Sequence, residues 1–437
     1  MRPARIGLVL LCALLATTSA SGTQVQALPE STDVFQGEFV QPNLGAKLDR
    51  MLTTFSKYGF SGTVTVGWGG LLALHKAYGL ADREQEIPCT VRTAFAIGPL
   101  TMQFTAAAIL DLEARGLLHT EDPISAYLGA FPGEKSRATI HHLLSHSAGL
   151  AADENRCLRG DLEECLASIK EAEIDFAPGT DRRQSRAGYV LLAAIVEKAS
   201  GQSFESYLTE RLFLPAAMNS TRFEGDPQRA SSPLAVGYEG GRSILPLLGR
   251  LPVPRHVVSI FRSWIGKRSE RLRPVSESPY DWTRRGASGI VTTAADLFRW
   301  EVALRGEKIL SAAAKRKLNG GMPAIEAYGW QVDKTKQGTD RFRQGGAADG
   351  YESAFVRYGQ YLRYVQQELT VIVLVNNDMG WARPVWSSIE DVSYGEDYSL
   401  PFALLCVLLT LLFVGGATRQ TRRKPRGRRR RRIHSPL

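Results

Sequence analysis

β-type patterning sits at the two ends of the central region, and helical patterning fills the stretch between. "GFSGTVTVGWGG" and "LLALHKAYGLAD" (59–82) alternate as two strands joined by a Gly-Gly turn. Four more strand-like segments come only after residue 326: "AYGWQVDK", "RFRQGG", "YESAFVRYG" and "ELTVIVLVNN". Between them lie helical patterns at 99–116, 139–146, 188–201, 203–213 and 293–306, and another, "NLGAKLDRMLTTFSKYG", precedes the first strand. Strands from both ends of a region must meet to bury their apolar faces. The expectation is therefore an α+β fold, with one antiparallel sheet built from early and late strands, flanked by helices, and a helix-rich middle subdomain.

The chain ends have a different character. Residues 1–22 combine a basic start, the apolar run "GLVLLCALLA" and small residues near Ala20, which reads as a secretory signal peptide. A polar leader follows (23–42), then the ectodomain (43–380) and a linker (381–397). Residues 398–418 carry no charge and would span roughly 30 Å as a helix, about one hydrocarbon core. The Arg-rich tail, 419–437, suits a cytoplasmic flank. The expectation is a single-pass membrane protein with an extracytoplasmic ectodomain in a periplasm, exterior or lumen. A buried core helix beside a tail, or a sorting segment that is removed, would use the same residues.

The whole-chain charge of +10 falls to −2 once the ten basic residues from Arg419 to Arg432, and Arg2 and Arg5, are set aside. The central region is thus near neutral, and basicity gives no argument for nucleic acid binding. The tail is a topology signal or a binder of anionic lipid headgroups. A basic insert at 246–275 has Val257, Val258, Phe261, Trp264 and Ile265 on one helical face. It either lies on a membrane surface or packs on the domain with its basic side solvated.

Of five cysteines, Cys12 falls in the signal and Cys406 in the span. Cys157 and Cys165, eight apart in a polar loop on the oxidising side, are the candidate disulfide, and Cys89 is left over. His142 and His146 are four apart, a spacing that suits a metal, but the remaining ligands are lacking. No metal site and no cofactor is expected.

Six segments occur in order: "AIGPLTMQFTAAAILDLEARGLLHTEDPISAYL", "TIHHLLSHSAGL", "FAPGT" with "GYVLLAAIVEKASGQSFESYL", "LFLPAAMNSTRF", "GIVTTAADLFRW" and "QGGAADGYESAF". Together they resemble the serine β-lactamase and penicillin-binding-protein family, in its branch of class C β-lactamases, D-alanyl-D-alanine peptidases and esterases, over about residues 40–378. The resemblance implies a β-lactamase/transpeptidase-like fold and a cleft with three elements: Ser-x-x-Lys, Tyr-x-Asn, and a Lys or His before a glycine on a strand. At those positions stand Pro99 and Met102; Gln184, Ser185 and Arg186; and Gln344, Gly345 and Gly346. None of the three keeps its proton-handling residue, and no serine in the chain is followed by lysine three residues later. Thr101, the nearest hydroxyl, is turned some 200° along the helix from the cleft-facing position.

These substitutions suit the fold. Proline costs nothing in a first helical turn, and methionine fills the space of a lysine stem. The expectation is a degenerate member without covalent catalysis, binding a ligand or a protein partner. Arg186, Gln184, Gln344, Gly345 and Gly346 are its candidate ligand-binding residues. Arg186 offers a fixed charge for a carboxylate-bearing peptide, or else bonds a local group. The alternative is a serine hydrolase of β-lactamase, D-Ala peptidase or esterase type that uses other residues.

Overall fold

The computed structural model describes residues 35–394 apart from 36, 58, 70, 151–160, 227–231, 240–271, 276–279, 320–326, 336–337 and 359–367. Strand β1 is Phe39–Val40, helix α1 Leu44–Lys57, strand β2 Gly62–Trp68 and strand β3 Leu71–Tyr78. The helical middle contains α2 (Met102–Ala114), α3 (Ile140–Leu144), α4 (Arg186–Ser200) and α5 (Ala294–Arg305). Strands β4 (Gln331–Lys334), β5 (Asp340–Ala348), β6 (Tyr351–Tyr358) and β7 (Leu369–Val375) follow, then helix α6 (Ala382–Ser393).

These strands form one seven-stranded sheet in the order β1-β3-β2-β7-β6-β5-β4, and every neighbouring pair is antiparallel. The expected union of early and late strands is the β2–β7 pair, with Val66 opposite Val371 and Val64 opposite Val373. Because side chains alternate along a strand, the sheet serves two cores. One face carries Val64, Val66, Val371 and Val373 against Leu48, Leu52 and Phe55 of α1 and Val385 and Ile389 of α6. The other face carries Phe355, Ile372 and Leu374 against the middle helices.

Helix α2 runs through that second core with all residues from Met102 to Leu112 buried. A helix apolar on every side must be surrounded by protein. Its alanines, Ala106–Ala108, let α4 approach with Ala193 and Ala194. Among buried polar groups near it, Trp300 Nε1 donates to Gln103 Oε1 (3.0 Å) and Thr105 Oγ1 donates to the Gly286 carbonyl (2.8 Å). Oxygen side chains also set the helix starts: Thr139, Ser185 and Thr293 cap α3, α4 and α5.

Two sequence boundaries need correction. Residues 381–397 read as a linker, but α6 occupies 382–393 and buries Val385, Trp386 and Ile389 on the sheet. Its start is held by the Glu352 carboxylate, which accepts from Gly380 N and from Ala382 N (2.9 Å). The leader to residue 42 also enters the domain, since Phe39 pairs with His75 of β3 and Phe35 packs on His75 and Phe298.

Among the described residues no helix is long and apolar enough to cross a membrane. The expected signal (1–22), span (398–418) and tail (419–437) and the basic insert lie outside the described residues, residues 272–275 of the insert excepted. Cys165 is disulfide-bonded and Cys89 is free and buried; Cys157, its expected partner, lies outside the described residues.

Candidate functional site

The first element is a single 3-10 turn, Gly98–Thr101, leading into α2. Pro99 stands at its start, where no intrahelical partner for an N–H exists. Gly98 has φ +51°, and a Cβ there would lie 3.3 Å from Ala348 Cβ, so glycine serves both backbone and packing. Met102 is fully buried, and its N–H donates to the Pro99 carbonyl. Thr101 is fully buried too.

Strand β5 lies directly against this turn. Gln344 Nε2 donates to the Pro99 carbonyl (3.0 Å) and Ser353 Oγ of β6 donates to the Ile97 carbonyl (2.8 Å). A Cβ on Gly346 would sit 2.4 Å from Pro99 Cδ and 2.8 Å from Pro99 N, so strand and turn touch backbone to backbone. The first and third elements, 245 residues apart, therefore meet. Gly345 is exposed beside them.

The second element stands at the start of α4. Ser185 Oγ accepts from Gly188 N (3.2 Å) as the helix cap, and the Ser185 N–H donates to His146 Nδ1 (3.2 Å). Arg186 Nη2 donates to Ser288 Oγ (3.3 Å), and Gln184 is exposed. Ser288 precedes the short strand Ile290–Thr292, which pairs with Phe95–Ala96 just ahead of Pro99. That route links Arg186 to the Pro99 turn.

Burial perturbs the titratable groups beside the second element. Burial, helped by the Arg182 charge, lowers His146 to about 4. Its Nδ1 accepts from Ser185 N, so the ring is neutral with its proton on Nε2. Tyr189 stacks on that ring at 4.9 Å, donates to the Leu144 carbonyl (3.0 Å), and is raised by complete burial. The histidine pair does not form a ligand set: α3 ends at Leu144, and His146 lies beyond it at φ +60°. His142 Nδ1 instead accepts from Thr139 N (3.2 Å), and the described residues hold no cluster of three metal-ligating side chains. Ser288 and Ser353, which hold the site together, gave no sequence signal, since each acts through a partner distant in the chain.

Comparison with known proteins agrees with this geometry. The family model described as Beta-lactamase matches residues 48–386. Penicillin-binding protein 4* of Bacillus subtilis is 26% identical over 374 residues, covering 80% of this chain and 76% of that protein. Among solved structures, FmtA from Staphylococcus aureus superposes with a TM-score of 0.63 at 21% identity, over 81% of this chain and 91% of that one. A penicillin-binding protein homologue from Pyrococcus abyssi, described as octameric, gives 0.64 at 22% identity, over 80% and 78%. At these identities the solved structures speak for the fold alone.

Proposed function

The chain belongs to the Beta-lactamase family, and on that premise we propose that it is a membrane-anchored, extracytoplasmic member without covalent catalysis, whose cleft binds a ligand or partner. The observation that carries this reading is Pro99. It stands where the family's nucleophile belongs, its carbonyl receives Gln344 and its ring abuts Gly346. Acyl transfer needs an attacking oxygen and a group to take its proton. Pro99 has neither, Met102 has no titratable group, and Gln344 carries a neutral amide.

Binding chemistry remains. Arg186 carries a permanent charge at the start of α4, where the helix dipole also favours an anion. Gln184 is exposed two residues before Arg186, and Gly345 exposes backbone on β5. The ligand class that suits these groups is a peptide carboxylate. Anchoring rests on the uncharged run 398–418 and the Arg-rich tail, which would face the cytoplasm and meet anionic headgroups.

The test is the intact mass of the purified chain after incubation with a penicillin and, separately, a fluorophosphonate, beside an active relative. The expected result is no adduct on this chain and one on the relative. A stoichiometric adduct would overturn the reading in favour of a serine hydrolase, and peptide mapping would name the residue.

A further inference from the structure

One end of the seven-stranded sheet carries half-buried aromatic and exposed apolar side chains. At the end where β2 turns into β3, Trp68 pairs with Leu71, which is 41% exposed. Helix α6 runs the length of the sheet toward this end. It starts at Glu352, opposite Val375, and finishes with Arg341 Nη1 on Glu390 (2.8 Å) and Tyr394 between Trp68 (5.8 Å) and Tyr358 (6.1 Å). Cations border the same end. Arg305 is already paired with both Glu301 (3.3 Å) and Glu368 (2.8 Å), the carbonyl of Glu368 accepts from Gly69 N, and Lys315 Nζ donates to the Arg305 and Gly306 carbonyls.

The chain length fixes what lies below. Only residues 395–397 separate Tyr394 from the uncharged run, so the end of α6 stays within about 14 Å of the start of that run. Half-buried aromatics with a neighbouring apolar residue and cations are the composition of a headgroup-level surface. Building on the anchored reading above, we propose that this end of the sheet rests on the bilayer interface, with Leu71, Trp68 and Tyr394 at headgroup depth and Lys315 toward anionic lipid.

A consequence for the ligand follows. Gly346 lies five residues along β5 from Arg341, about 17 Å further from that surface. Pro99 and its neighbours then stand at the far end of the sheet, and the cleft takes its ligand from the aqueous side rather than from the lipid.

The experiment uses the full chain with Cys12 and Cys406 replaced by serine, reconstituted in phosphatidylglycerol–phosphatidylcholine vesicles with headgroup nitroxides. A fluorophore is placed at Leu71→Cys or at Gln85→Cys, the latter exposed beyond the opposite end of β3. The parent chain sets the background. Expected are co-flotation with the vesicles and several-fold stronger quenching at position 71 than at 85. Co-flotation with equal quenching at both sites overturns the docking surface and leaves the anchor standing. Failure to co-float overturns both.

Discussion

Replacing Gly346 with alanine tests whether strand β5 is seated on the Pro99 turn. The added methyl would lie 2.4 Å from Pro99 Cδ, 2.8 Å from Pro99 N and 3.2 Å from the Ile97 carbonyl. Two of those three atoms are backbone, and the third belongs to a closed ring, so no side chain can swing aside. Either the methyl is compressed or the strand lifts. Overpacking of this kind costs about 1–3 kcal/mol. Lifting the strand also strains the bonds from Gln344 to the Pro99 carbonyl and from Ser353 to the Ile97 carbonyl, each contributing about 1 kcal/mol. The sum is about 3 kcal/mol, which for a domain of this size lowers Tm by about 4 °C. The assay is thermal unfolding followed by circular dichroism, on Gly346→Ala, Pro99→Ala and the double variant. Pro99→Ala removes Cδ but leaves the backbone contacts, so the double variant should recover about half of the loss, a coupling of about 1 kcal/mol or more. A Gly346→Ala chain melting within about 1 °C of the parent, or a double variant that is simply additive, would refute the contact.

Two further expectations concern buried groups. Burial, and then the Arg299 charge, lowers His75 to about 4, so the unfolded chain binds a proton that the folded chain does not between about pH 6.5 and pH 4. Stability therefore falls as pH falls through that window, by about 2 kcal/mol from this residue between pH 7 and pH 5. His146 adds a second proton of the same sign. Urea unfolding at both pH values should show a smaller loss for His75→Gln, and an unchanged loss would contradict the assignment. Met102 is fully buried, so Met102→Lys places an ammonium in an apolar interior at the start of α2, more than two turns from the Asp111 carboxylate of the same helix, costing about 3–5 kcal/mol at pH 7. The urea midpoint should rise again toward pH 10 as the amine becomes neutral; a midpoint flat from pH 7 to 10 would mean the side chain escapes to solvent.

Periodicity exposed most of the fold because most elements bury one face. The alternation of 62–78 became β2 and β3, and the apolar spacing of 44–57 became α1. Helix α6 escaped because its stripe, Val385, Trp386 and Ile389, is short and broken by serines, and its start is held by Glu352, thirty residues earlier in the chain. The His142 and His146 spacing would need a helix continuing to residue 146 to place both on one face, whereas α3 stops at Leu144. At the site, family order brought out Pro99, Gln344 and Gly346. The capping role of Ser185 gave no signature, since its N3 position is Gly188 rather than a glutamate or glutamine.

The centre of the sheet also dictates when the protein can fold. Val66 and Val371 face each other although 305 residues separate them, so β2 has no partner on one side until β7 has been made. Contacts of such long range form late and slow folding. During synthesis the β2–β3 hairpin must wait with an open edge while the helical middle, α2 to α5, emerges and packs around its own core. The 62 residues after Val375 follow at once. A chain cut anywhere before β7 would therefore carry an unpaired, apolar strand edge, and aggregation, rather than a smaller folded domain, is its expected fate.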